Sequence, residues 1–188
     1  MLEIALKEWA VVCDLLIEGE LAILLRKGGI HEWDGPGRFK LEHDRFALFP
    51  AWEHQNPDWI KPAYRKHASL FDAEPASFDL QAMATVQHIW PIPSRDAFDK
   101  LDDLHCWEKP QIDMRFNYKP ERPIYLMAVR AYTLDQPFRI EMTPEYGGCR
   151  SWVDLKPEDQ ADDTGATPAL EQVTFDAMVD RITQTMAP

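Results

Sequence analysis

Histidine and tryptophan crowd into one stretch of the chain. Between Arg26 and Leu70 stand His31, His43, His54 and His67, together with Trp33, Trp52, Trp59 and Tyr64. Rings of this kind beside cations are the groups that stack on nucleobases. The same stretch carries eight bases (Arg26, Lys27, Arg38, Lys40, Arg45, Lys61, Arg65, Lys66) and six acids (Glu32, Asp34, Glu42, Asp44, Glu53, Asp58), a local +2 in a chain of net charge −12. Polar function is expected there. Just upstream, Glu8 lies between Lys7 and Trp9 on an otherwise apolar segment. A partly buried carboxylate needs a partner, and Arg26 and Lys27, ending the run ELAILLRK, are the nearest cations. Such a pair suits a scaffold as well as general acid or base work. The candidate cleft therefore gathers Lys7, Glu8, Arg26, Lys27, Glu32, His43, His54 and Gln55, walled by Trp9, Trp33 or Trp52.

Other chemistries are excluded by what the chain does not spell. The dinucleotide pattern GxGxxG, the phosphate loop GxxxxGK[ST], HExxH and GxSxG are all absent. Gly28 and Gly29 read as a turn. Cys13, Cys106 and Cys149 are odd in number and form no CxxC pair, so reduced thiols are expected, with neither a disulfide framework nor a zinc knuckle. His105 and Cys106 are adjacent and would diverge by about 100° on a helix, so no metal and no cofactor is expected. The 32 acidic against 20 basic residues repel phosphate backbones, which argues against bulk non-specific nucleic-acid binding. No run reaches the roughly 18 apolar residues of a membrane helix, and Glu3 and Glu8 stand where a signal peptide would place bases. A cytoplasmic protein with no membrane partner is expected.

The elements that must position these residues follow from periodicity and punctuation. Glu3, Lys7, Asp14 and Glu18 recur at helical spacing, so Leu2 to Ile17 reads as one helix, stopped by Gly19. Glu20 to Lys27 reads as a buried strand. Glycines and prolines break residues 31 to 70 into short pieces, with Arg38 to Leu41 and Phe46 to Phe49 as strands. Ser77 to Pro91 alternates as a half-exposed strand, with Phe78, Leu80, Ala82, Ala84 and Val86 on one face. Ser94 caps a helix SRDAFDKLDDLHCW. Pro123 to Tyr132 and Phe138 to Met142 read as two strands parted at Pro137, and CRSWVDL as a short closing strand. The core is expected to include Trp9, Leu16, Ile23, Leu25, Phe49, Val86, Leu126, Val129 and Trp152. Residues 151 to 188 hold eight acids and two bases. Within them 156 to 166 lack apolar anchors and read as an acidic linker, and Thr174 caps a last helix with Phe175, Met178, Val179 and Ile182 on one side. The expected layout is one domain over 1–155, a linker over 156–166 and a helical appendage over 167–188.

The blocks LKEW at 6–9, LLRKGGI at 24–30, FALFPAWEHQ at 46–55, HIW at 88–90, YLMAVRAYTLDQP at 125–137 and GCRSWVDL at 148–155 resemble a bacterial family called domain of unknown function 1802. The likeness spans about residues 4 to 155 and brings no activity with it. The opening order, a helix with Trp9, then Gly19, then a strand ending at Arg26, is similar to PUA-like and ASCH domains, although Glu20 and Leu21 stand where those carry a lysine. That second resemblance implies an α+β fold: a PUA-like mixed β-barrel with flanking helices, whose opening helix and basic-ended strand wall a cleft for RNA or a modified base. The expected function is binding of a nucleobase, a modified nucleotide, or an RNA or DNA end in an aromatic, basic cleft. Two alternatives stand beside it: a hydrolase or nuclease-like enzyme using Glu8 with His43 or His54, and a protein-interaction module using the acidic tail as its contact arm.

Overall fold

The computed structural model describes residues 1–27, 41–65, 73–148 and 150–187. The chain runs β1 (Ile4–Trp9), α1 (Ala10–Ile17), β2 (Ile23–Arg26), β3 (Arg45–Ala51), β4 (Ser77–Pro91), α2 (Arg95–Asp99), α3 (Lys109–Asn117), β5 (Tyr125–Glu141), β6 (Trp152–Asp154), β7 (Thr167–Pro168) and α4 (Gln172–Met186). This is an α+β fold on one mixed sheet, ordered β2-β5-β4-β3-β1-β6, with β7 on β5. The β1–β3 pair is parallel and the other pairs are antiparallel. Three strands separate β1 from β2 along this order, yet the Arg26 side chain at the end of β2 reaches the Lys7 carbonyl of β1 at 3.2 Å. The sheet is curled until β2, at one end, lies within one side chain of β1, the strand next to the other end.

The first half of the expected opening helix is a strand. β1 pairs with β3 from Ala5 to Trp9 and with β6 from Ile4 to Leu6, and only from Ala10 does the chain turn helical. The helical stripe fails at Lys7, which is 6% exposed. Pairing with two neighbours outweighs a local preference of a few tenths of a kcal/mol per residue. Gly19 does end α1: its φ is +72°, and a Cβ there would meet the Ala169 carbonyl oxygen at 2.5 Å, so both conformation and close approach demand glycine. β2 lies within the stretch expected as a strand, and β3 contains the expected Phe46 to Phe49 and runs beyond it at both ends. Leu41 precedes β3 without being in a strand, and positions 38 to 40 lie outside the described residues.

β4 covers the expected span, but its alternation slips. Phe78 and Leu80 belong to one core, packed with Phe49, Leu134 and Tyr146, whereas Ala82 and Ala84 belong to the other, with Leu6, Leu25 and Phe46. The register against β5 shifts between Leu80 and Ala82, so one strand serves both sides of the sheet. The same irregularity corrects the two expected strands around Pro137: they are one strand, β5. Leu80 faces Phe138 while Ala82 faces Thr133, and Pro137 sits in the extra length between them, where its missing N–H breaks no ladder. Ser94 Oγ accepts the Ala97 N–H at 3.1 Å as expected, but its helix stops at Asp99. α3 was not anticipated. Pro110 stands in its first turn, where no N–H is required.

Of the expected core, Leu16, Ile23, Leu25, Phe49, Leu126 and Val129 are buried, while Trp9, Val86 and Trp152 are half-buried against the larger core. The segment expected as a loose linker is held to the sheet. Leu2 and Ala161 exchange backbone hydrogen bonds at 2.8 and 3.3 Å, Ala161 is fully buried, and Asp159 accepts the Tyr146 hydroxyl at 2.6 Å. Nor is the tail a free arm, since α4 buries Phe175, Val179, Ile182 and Met186, and Arg181 grips Asp103 through two 2.6 Å bonds. Among the described residues no helix is long and apolar enough to cross a membrane.

Candidate functional site

Successive residues of β1 point to opposite faces, and this separates Lys7 from Glu8. Lys7 turns toward the Phe49 side, its Nζ 3.3 Å from the Gly148 carbonyl and 5.6 Å from the Phe49 ring centre. Glu8, 7% exposed, takes Arg26 at 2.9 Å on Oε2, and its Oε1 accepts the Trp9 N–H at 2.9 Å. Each of its two oxygens therefore has a partner.

A second guanidinium completes the cluster. Arg115 of α3 donates to the Leu25 carbonyl at 3.1 Å, and its Cζ lies 6.0 Å from the Trp9 ring centre and 5.7 Å from that of Trp107. Burial works against its charge while Glu8 supports it. Trp59 stacks on Trp9 with ring centres 6.0 Å apart and planes 18° from parallel. It is brought there because residues 59–61 lie along 106–108, with Glu108 N–H donating to the Trp59 carbonyl and Lys61 N–H to that of Cys106, each at 2.8 Å. Lys27 fastens α3 behind the site, its Nζ at 2.7 Å from the Arg115 carbonyl and 3.2 Å from that of Phe116.

Of the expected site residues, Glu8, Trp9 and Arg26 come together, with Lys27 one step behind them. Gln55 lies at the same end of the sheet, where its Oε1 accepts the Val11 N–H at 3.1 Å and so holds the first turn of α1. His54, exposed and left-handed at φ 62°, precedes it in the loop after β3. His43 does not join them. It packs edge-on against Trp152, ring centres 5.1 Å apart, before the start of β3, whereas Trp9 pairs with Ala51 at the strand's far end, roughly 20 Å away. A Glu8–His43 couple therefore does not form. Lys7 is likewise removed, by the pleat. Glu32 and Trp33 lie outside the described residues. Trp52 packs instead on Phe78, beside a small cavity of about 110 Å³ that Cys13 also lines.

The sequence reading missed Arg115 and Trp107 and counted Trp59 only as one ring among several. Pro110 with apolar Ile112 and Phe116 after it was the available signal for α3. Cys13 and Cys106 are buried, and burial, with Glu8 nearby, raises both thiols, Cys106 to about 12, so neither is a reactive thiolate at neutral pH. No group of three or more His, Cys, Asp or Glu among the described residues could hold a metal ion.

Behind Trp107, His105 stacks on Phe98 at 4.8 Å with neither ring nitrogen hydrogen-bonded. Burial, and then Lys61, push its pKa from 6.5 to about 4, against the opposing pull of Asp102. Because the folded state resists the proton, the stability tied to neutral His105 is intact above pH 6.5 and is lost as pH falls toward 4. The loss should total about 3 kcal/mol, and urea titrations at stepped pH should show it flattened in His105→Phe.

A cleft of about 520 Å³ adjoins this region, lined by Lys61, Arg95 and Lys109 against Asp99, Asp102 and Glu108. Its charges balance. Among solved structures, ASCH from Zymomonas mobilis is similar at 10% identity and a TM-score of 0.47, over 83% of this chain and 89% of that one. A mutant of the same protein is similar at 12% identity and a TM-score of 0.47, over 85% and 94%. No curated protein matches the chain. The family model described as Domain of unknown function (DUF1802) matches residues 5–181, and the chain belongs to that family.

Proposed function

We propose that the chain binds a nucleobase, as a nucleotide or at a short single-stranded nucleic-acid end, on the tryptophan and arginine cluster at the end of β1. The observation that carries this reading is the grouping of the stacked Trp9 and Trp59 with Arg115 over Trp9. Both indoles are half-buried, so each keeps ring surface for a ligand. Indole faces accept any base by stacking, a guanidinium beside them adds cation–π attraction, and neither needs a positively charged protein. Glu8 serves as the counter-charge that fixes Arg26.

Trp59 provides the test, because it stacks at the margin and is absent from the buried cores. Trp59→Ala should weaken binding of short oligoribonucleotides by about 1 to 3 kcal/mol, followed through quenching of tryptophan fluorescence, and should leave the melting temperature nearly unchanged. Equal affinity of variant and parent, or no quenching by any single-stranded oligonucleotide or nucleoside, would rule the reading out.

A further inference from the structure

We infer that Arg26 and Arg115 receive a terminal phosphate, so that the ligand is a nucleoside monophosphate or a phosphorylated oligonucleotide end and not a bare base. This rests on the base-binding reading above. Lys27 is committed to the C-terminal carbonyls of α3, which leaves two guanidiniums facing, among the described residues, the single carboxylate of Glu8. Glu8 spends its oxygens on Arg26 and on the Trp9 N–H, and Arg115 is left with the Leu25 carbonyl and two indole rings. Glu8 is thus the acid that supports Arg115 as well as the partner of Arg26, so two partly buried guanidiniums share one carboxylate and their charge is under-compensated.

Donors are also in surplus. Among the described residues Arg26 Nε, Arg115 Nε and Trp107 Nε1 are buried with no acceptor, against one unpaired acceptor on α3, Gln111 Oε1, although buried N–H groups are nearly always paired. A phosphate monoester supplies what is missing, since it brings close to two negative charges and three acceptor oxygens, and the guanidinium fork matches its geometry. A neutral base supplies no charge. The net charge of −12 bears on which phosphate it is: a field of that sign penalises a polyanionic backbone far more than one small end.

Calorimetric titration of the full chain separates the sources. The probes are adenosine, adenosine monophosphate, inorganic phosphate, and one short oligoadenylate with 5′-phosphate, 3′-phosphate or hydroxyl ends. The monophosphate and one phosphorylated oligonucleotide should bind at least about tenfold tighter than their unphosphorylated counterparts. Their affinity should fall more steeply with salt, and Arg115→Gln should erase the preference while Arg115→Lys retains part of it. The comparison within the parent protein decides the matter even if a variant fails to fold. Equal affinities with and without phosphate, both lost in Trp59→Ala, would overturn the phosphate inference and leave base binding standing. Inorganic phosphate binding as tightly as the monophosphate would overturn it as well, and failure of every probe would overturn both readings.

Discussion

Glu8→Ala is expected to lower the free energy of unfolding by about 3 to 5 kcal/mol, since breaking one half of a buried ion pair strands the other charge. The effect should exceed that of an ordinary surface pair, worth about 1 kcal/mol at most, for three reasons. Glu8 is 7% exposed, and its second oxygen also bonds the N–H at the point where β1 passes into α1. The Glu8–Arg26 contact also spans strands that are not neighbours in the sheet, so it clamps the curl. Arg26→Met should be similarly damaging, while the double variant Glu8→Ala/Arg26→Met should lose less than the two single losses combined. Urea unfolding of the four proteins measures the cycle. Additive losses, or a Glu8→Ala loss below about 1 kcal/mol, would show that the pair does not act as a clamp.

That pair was readable in the sequence because both partners belong to local signals: a carboxylate inside an apolar segment, and cations at the end of an apolar run closed by glycines. β4 and the Ser94 cap were readable for the same reason, since alternation and capping act over a few residues. Lys7 misled because a polar residue at helical spacing looks solvent-exposed until β3 pairs on one side of it, its N–H donates to the Ser151 carbonyl on the other, and its ammonium finds the Gly148 carbonyl. The break expected at Pro137 failed because the extra length is defined only by the partner strand, β4. Arg115 was hidden most completely. Its place beside Trp9 depends on Lys27 holding the end of α3 and on the 59–61 and 106–108 segments lying together, and none of these contacts leaves a trace in the residues next to Arg115. His43 was drawn into the expected cleft by proximity along the chain, which the extended course of β3 undoes.

A chain cut after Leu155 tests where the folded unit ends, and it is expected to be insoluble or to unfold without cooperativity. The cut removes β7 from the edge of β5, the Ala161 partner of Leu2, and α4. Phe175, Val179, Ile182 and Met186 are buried and cover Ala22, Ala128 and part of the larger core. At about 1.5 to 3 kcal/mol for each large apolar side chain, their loss is on the order of 6 to 12 kcal/mol, which matches the whole net stability of a typical domain. The Arg181–Asp103 pair adds little, because Asp103 is 63% exposed and solvent screens it. A weaker lesion separates helix docking from chain length: Phe175→Ala in the full chain should cost about 3 to 5 kcal/mol and still unfold in one transition. A 1–155 protein that melts cooperatively within a few degrees of the full chain would restore the boundary at Leu155, and with it the expectation that everything beyond is an appendage.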